Sequence, residues 1–307
     1  MPGLNLIPNN FDLKIISKQR VFFASSALLT VLSLVIFLIN GLNYGIDFKG
    51  GILIEVRQEK PQELGAIREV LSNLDLGEIA LQEFGQPTDL LIRVQRQEGD
   101  ENAQQVAIDK IKSILPKDID YRRTEFVGPK VSDELFWDGV MAVGLAILAI
   151  LIYIWFRFEW QFGLGAILAL GHDVISTIGI FALLGLEFNL STVAAILTIA
   201  GYSINDTVVV YDRVRENLRK FKKLELSELL NNSINQTLSR TVITSLTTLL
   251  ALFSLYILGG EVIRDFSFAM IWGVIIGTYS SICLAVPMLL HLDLNRGGPI
   301  SGNSKGD

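Results

Sequence analysis

A polytopic α-helical membrane protein with six transmembrane helices and a small α+β domain between helices 1 and 2 is predicted by three observations. Half of the 307 residues are apolar, and mean hydropathy is +0.44, too high for an ordinary soluble domain. Six apolar segments reach the ~20 residues that a helix needs to cross the hydrocarbon. The excess charge sits in one hydrophilic insert: residues 42–135 hold 18 acidic and 12 basic side chains, while the rest of the chain balances. The net charge of −6 is therefore a property of the insert, and no nucleic-acid-binding surface is expected there. Cys283 is the only cysteine, so neither an intrachain disulfide nor a cysteine-cluster metal site is expected.

After an N-terminal stretch (1–20), the spans are placed at 21–41, 136–156, 162–185, 190–211, 236–258 and 266–291. The first has span length and no small-x-small cleavage site after Asn40-Gly41, so it reads as a signal anchor. Positive charge sets the orientation. Lys14, Lys18 and Arg20 precede the first span, Arg157 lies between the second and third, and Arg213, Arg215, Arg219, Lys220, Lys222 and Lys223 follow the fourth. All three places share a side with both termini, which makes that side cytoplasmic and the 42–135 insert periplasmic.

Within the insert, Gly51–Arg57 reads as a strand and 61–74 as a helix with Pro61 in its first turn. Leu64, Ile67, Val70, Leu71 and Leu74 form its apolar set. Strands are expected at 79–84 and 89–94 around Gly85-Gln-Pro-Thr88, then a helix over 100–115 and a last strand over 121–127. Val106, Ile108, Ile111, Ile114 and Leu115 are the apolar set of the second helix. The order β-α-β-β-α-β is the ferredoxin-like, split βαβ motif. The basic loop 212–235 carries Leu226, Leu229 and Leu230, which suggest a short amphipathic helix at the membrane surface. The tail 292–307 is rich in Gly, Ser and Asn from Arg296 onward and is expected to be disordered.

Three spans hold polar groups at helical spacing. In the fourth, Tyr202, Ser203 and Asp206 share a face, with Asn205 beside them. An ionisable group near a span centre costs ~2.5–3.5 kcal/mol, so it either moves an ion or substrate or has its charge paired. In the fifth, Thr237, Arg240, Thr241, Thr244, Ser245 and Thr248 make a stripe. Asp206 and Arg240 fall at similar depths from the cytoplasmic side, so a pair is geometrically possible. Two readings stand: a static bridge that fixes helix register, or a carboxylate whose proton affinity follows the approach and withdrawal of Arg240. In the third span, His172-Asp173 fits either a proton relay or a hydrogen-bonded structural pair.

Ala269, Gly273, Gly277, Ser281 and Ala285 recur every four residues and form a helix-packing seam. Gly45-Ile-Asp47-Phe-Lys-Gly50-Gly51 joins the first span to the insert. It fits a hinge or a contact for an extended substrate, or more simply a turn in which Asp47 bonds nearby N–H groups. There is no Gly-x4-Gly-Lys-Ser/Thr loop and no His-Glu-x-x-His, so no enzymatic activity, cofactor or metal is expected.

Taken together, Gly201-Tyr-Ser-Ile-Asn-Asp206-Thr-Val-Val, Asp212-Arg-x-Arg-Glu-Asn217, the Gly45–Gly51 stretch, His172-Asp173 and Gln236-Thr-Leu-Ser-Arg240-Thr-x-x-Thr-Ser245 resemble the SecF family of bacterial protein-export subunits. The resemblance covers about residues 10–293. It implies half of an RND-type bundle in the inner membrane. It also implies pairing with a SecD-like subunit, association with the SecYEG channel, and use of the proton-motive force to draw out unfolded preproteins after SecA has driven them in. Asp206 and Arg240, with Asn205 beside the aspartate, would then belong to the proton pathway. The competing assignments are a self-sufficient RND-like exporter of small or lipidic substrates, an intramembrane aspartyl protease using Asp173 and Asp206, and a structural scaffold. The protease lacks a Gly-x-Gly-Asp element.

Overall fold

The computed structural model describes residues 13–58, 64–84, 86–97, 99, 101–116, 119–260, 263–292 and 294. The expected helix starts at Pro61 and Asp100, the turn residue Gly85 and the tail from Arg296 lie outside them. The chain runs through α1 (Gln19–Asn40), β1 (Asn43–Tyr44), α2 (Ile46–Lys49) and β2 (Gly51–Arg57). It continues through α3 (Leu64–Ser72), β3 (Ile79–Phe84), β4 (Gln86–Val94), α4 (Glu101–Ile114) and β5 (Asp120–Val127). Then come α5 (Pro129–Arg157), α6 (Trp160–Leu184), β6 (Glu187–Phe188), α7 (Leu190–Lys220), α8 (Leu226–Leu258) and α9 (Arg264–Ser280). α9 passes into a π-helical turn, Ser281–Ala285, and a short α10 (Val286–Met288). Among the described residues, six helical stretches are long and apolar enough to cross a membrane, one at each predicted span.

The insert is the split βαβ motif. Its sheet has the order β3-β4-β2-β5, antiparallel throughout, so β4 is inserted between the parallel β2 and β3. One face carries Ile52, Ile54, Val56, Leu81, Leu90, Ile92 and Val94, buried beneath α3 and α4. Those helices contribute Ile67, Leu71, Ala107, Ile108 and Ile111. Val106 and Ile114 of the expected apolar set are exposed instead, at 53% and 39%. Ala107, which is buried, takes the place that the periodicity gave Val106.

Helix extent departs from span extent on the side of the α7–α8 connection. α7 continues past 211 to Lys220, and α8 begins at Leu226 rather than 236. No separate amphipathic surface helix forms at Leu226, Leu229 and Leu230. These leucines open α8 and pack with Val214 and Leu218 of α7. Asn217 Nδ2 donates to Ser233 Oγ at 2.8 Å and to Gln236 Oε1 at 3.1 Å, which closes the seam. α5 likewise begins at Pro129, a residue suited to a first helical turn, rather than at 136. Apolar composition marks where lipid ends, whereas a helix ends where its backbone is capped.

Both described ends of the chain gather on that same side. Asn235 exchanges two hydrogen bonds with the backbone of Leu13, and Asn231 accepts from Ile16 N. His291 Nε2 lies 3.1 Å from Gln19 Oε1.

In the insert, buried Asp89 accepts from Arg57 Nε and Nη2, both at 2.5 Å. These bonds hold its carboxyl below the usual carboxylate range, against the effect of burial. A depressed folded-state value contributes stability above the unfolded value, and that stability is lost as pH falls through the folded value. Asp89→Asn is expected to lower the melting temperature at neutral pH and to weaken the acid dependence below about pH 4. Thermal melts of the full chain across that range provide the check.

Candidate functional site

Two carboxylates enter the helix bundle, and the fold treats them differently. Asp173 of α6 is fully buried. Its Oδ2 accepts from Ser203 Oγ of α7 at 2.6 Å and from Ser280 Oγ of α9 at 2.8 Å. Its Oδ1 lies 3.0 Å from His172 Nδ1. One side chain thereby ties three helices together. The His172-Asp173 pair is present as expected, but the two serines are the larger part of the arrangement. Nε2 of His172 has no hydrogen-bond partner among the described residues.

Asp206 lies one turn beyond Ser203 on α7 and is 3% exposed. Its Oδ2 has no hydrogen-bond partner among the described residues. The Arg240 guanidinium of α8 and the Thr278 hydroxyl of α9 are the groups that act on it. The direct Asp206–Arg240 bridge that sequence spacing allows is not formed: no N···O contact within 4.0 Å joins the two among the described residues. The reason is the orientation of the side chains. Asp206 is turned into the bundle, whereas Arg240 and Asn205 are on the exposed surface of their helices. Asp206 is thus a buried carboxylate with an open oxygen, and Arg240, which forms no ion pair among the described residues, acts on it.

The α8 stripe is mostly self-contained. The hydroxyls of Thr237, Thr244 and Thr248 bond carbonyls of their own helix. Ser245 reaches Thr278 at 2.7 Å, and Tyr202 OH lies 3.4 Å from Thr248 Oγ1. Thr241 is 1% exposed, and its Oγ1 has no partner among the described residues.

The small-residue seam lets α9 lie against α7. A Cβ on Gly273 would run into the Ile199 side chain, and one on Gly277 would stand 3.1 Å from Ser203 Cβ. This closeness is what puts Ser280 within reach of Asp173. Ser281, in the π-helical turn, bonds Thr207 Oγ1 at 2.8 Å and donates to Ser203 O at 3.2 Å. Tyr211 OH donates to Ala285 O at 3.1 Å.

The Gly45–Gly51 stretch forms a fastened joint. β1 pairs in parallel with β6, which precedes α7. Asp47 Oδ2 accepts from Leu190 N, the first residue of α7, at 3.0 Å. The bond expected for Asp47 therefore exists, but its donor is distant in sequence rather than local. Phe48 sits among Tyr44, Phe136 and Phe188, with ring centroids 6.0–6.2 Å from it. Gly50 and Gly51 have φ of +70° and +118°, and a Cβ on Gly51 would come within 2.6 Å of Val94 O. Arg93 of β4 completes the joint through Glu187 Oε2, with a further bond to Asn43 Oδ1 at 3.3 Å. Burial pushes the Glu187 carboxyl up against the pull of Arg93, with Asp265 and Asp47 adding to the rise.

Sequence reading missed three participants: Ser280 as a donor to Asp173, the Arg93–Glu187 pair, and Tyr279. The Tyr279 hydroxyl is 2.8 Å from Ser25 Oγ and 3.0 Å from Ser26 Oγ of α1. The four-residue seam running beside Ser280 was the available signal for the first. Nothing in the spacing announces the other two.

Asp173→Leu leaves three polar partners without their acceptor and should destabilise the bundle by about 1–3 kcal/mol, with Asp173→Asn milder. Chemical denaturation of the full chain in micelles would rank them. Gly51→Ala imposes a strained φ and a close contact, and should lower the melting temperature by more than any exposed Gly→Ala change, at a cost above about 1 kcal/mol.

Comparison with known proteins identifies the family of this fold. The family profile described as "Protein export membrane protein SecD/SecF, C-terminal" matches residues 106–295, and the "SecD/SecF GG Motif" matches residues 35–62. The protein translocase subunit SecF of Rickettsia rickettsii (strain Sheila Smith) is 46% identical over 288 residues, covering 93% of this chain and 94% of that protein. That of Rhodobacter capsulatus is 45% identical over 308 residues, covering 95% and 92%. The crystal structure of SecDF, a translocon-associated membrane protein from Thermus thermophilus, superposes with a TM-score of 0.84 at 38% identity, covering 93% of this chain. SecDF in its super-membrane-facing form gives 0.68, also at 38% identity. The chain spans 39% and 40% of those two longer chains. It belongs to the SecD/SecF family of protein-export membrane proteins, among the SecF translocase subunits.

Proposed function

We propose that this chain works with a SecD-like partner to apply the proton-motive force to late steps of preprotein translocation through a SecYEG channel, downstream of SecA. The observation that carries the reading is the buried Asp206, whose Oδ2 has no hydrogen-bond partner among the described residues, acted on by Arg240, which forms no ion pair among them. A carboxylate in this position takes and releases a proton as the cation moves. The exposure of Arg240 and Asn205 leaves that side of α7 and α8 open to a partner. The solved SecDF chains, more than twice as long, supply a template for one. One charge crossing 100 mV is worth about 2.3 kcal/mol.

The fold offers a route for that energy to leave the membrane. α7 carries Asp206 and, at its first residue, the N–H held by Asp47. Protonation at one place and the joint of the insert at the other are therefore parts of a single uninterrupted helix. In this reading the chain lies in the inner membrane with the insert periplasmic and both termini cytoplasmic. The gathering of the described ends beside the basic α7–α8 connection supports that orientation.

The test is Asp206→Asn. Membrane insertion and thermal stability should stay near wild type while proton-driven completion of export falls at least tenfold. Export at the wild-type rate would overturn the reading. Arg240→Lys should retain part of the activity and Arg240→Gln none, measured in inverted vesicles with and without an imposed proton gradient.

A further inference from the structure

At the α7–α8 end of the bundle, a cleft opens between the end of α5 and the extension of α7, lined by Arg157, Asp212, Arg215, Glu216, Arg219 and Lys220. Its basic groups are held in place. Arg157 Nη2 donates to both oxygens of Asp212 at 2.8 and 2.7 Å. Arg215 donates to Arg157 O at 3.2 Å. Both guanidinium groups lie over the ring of Phe158, at 5.2 and 5.3 Å. Glu216 is engaged by Arg213 at 2.8 Å. Arg219 and Lys220 have no ion pair among the described residues. Four cations against two carboxylates, both of them already engaged, leave the cleft electropositive.

Depth identifies what such a cleft would meet. The Arg157–Asp212 pair sets the level at which the apolar run of α7 ends. Arg215 and Arg219 lie about one and two turns further out, roughly 5 and 10 Å. The headgroup layer occupies roughly 5–8 Å on each side of the hydrocarbon, so the Arg219 backbone stands just beyond it and its long side chain, tilted toward the α7 N-terminus, reaches back into it. One turn below Arg157 on the same face of α5, the aromatic side chain of Tyr153 is exposed, at 48%. Basic pockets between helix ends, above exposed apolar and aromatic side chains, fit lipid headgroups.

We infer that this cleft binds the phosphodiester headgroup of an anionic phospholipid. Arg219 takes the phosphate, Lys220 stands at the rim, Arg215 lines the inner wall while it holds Asp212 at 3.7 Å, and the acyl chains lie along Tyr153. Nothing in the proton-coupling reading requires this site, and it stands or falls separately.

The experiment is lipid titration of the purified full-length chain followed by native mass spectrometry. Phosphatidylglycerol is compared with phosphatidylcholine of the same acyl chains. Retention of phosphatidylglycerol at about thirtyfold lower concentration is expected, from about 1 kcal/mol for each of Arg219 and Lys220. The double variant Arg219→Gln/Lys220→Gln should lose that preference while melting like wild type. Arg122→Gln on the insert should keep it. Equal retention of the two lipids, or an unchanged preference in the double variant, would overturn the inference. So would complete displacement of the lipid by millimolar inorganic phosphate, which would assign the cleft to a soluble anion.

Discussion

The packing of this bundle depends on one enclosed carboxylate. Helices in lipid gain little from the hydrophobic effect when they associate, because lipid tails are as apolar as the side chains they replace. Close approach and polar pairing must supply what water supplies elsewhere. Asp173 is where both act together. The glycines of α9 bring its backbone close enough for Ser280 to donate, Ser203 donates from α7, and His172 closes the third side. The register of α6, α7 and α9 is set at that point. The position of Asp206, one turn along α7, follows from it.

Hydropathy made the six spans legible because the bilayer reads composition much as a window average does. The split βαβ of the insert was legible because strand and helix periods alternate cleanly there. Less was legible wherever an outcome depended on the far side of a contact. The extension of α7 and α8 past the apolar run is set by the pairing of Asn217 with Ser233, both in a stretch that a hydropathy scan assigns to a loop, and with Gln236 at the edge of the fifth span. Asp206 and Arg240 were identifiable as candidates from residue type and depth. That they stand apart rather than bridged is decided by which way each side chain turns on its helix, a matter of packing that one sequence does not record. The partner of Asp47 was hidden for the same reason: the donor lies beyond an entire domain and two spans.

The contrast between the two bundle carboxylates separates a fixed element from a responsive one. A carboxyl group with three polar partners has little to gain from a change in its surroundings. One with an idle oxygen and a nearby cation has much to gain. The chain thus holds a rigid anchor and a reactive neighbour on successive turns, so a change at Asp206 is felt against a reference that does not move.

The length of α7 adds a mechanical consequence. About 24 Å of helix separates Asp206 from Leu190, at 1.5 Å per residue. A tilt of about 5° pivoting at the Asp173–Ser203 contact would carry the far end by about 2 Å, enough to take the Leu190 amide out of hydrogen-bonding range of Asp47. The helix has the geometry of a lever arm with a short throw at Asp206 and a long one at the joint. Stiffness along its whole length, rather than any further chemistry, is what that geometry demands of the residues between.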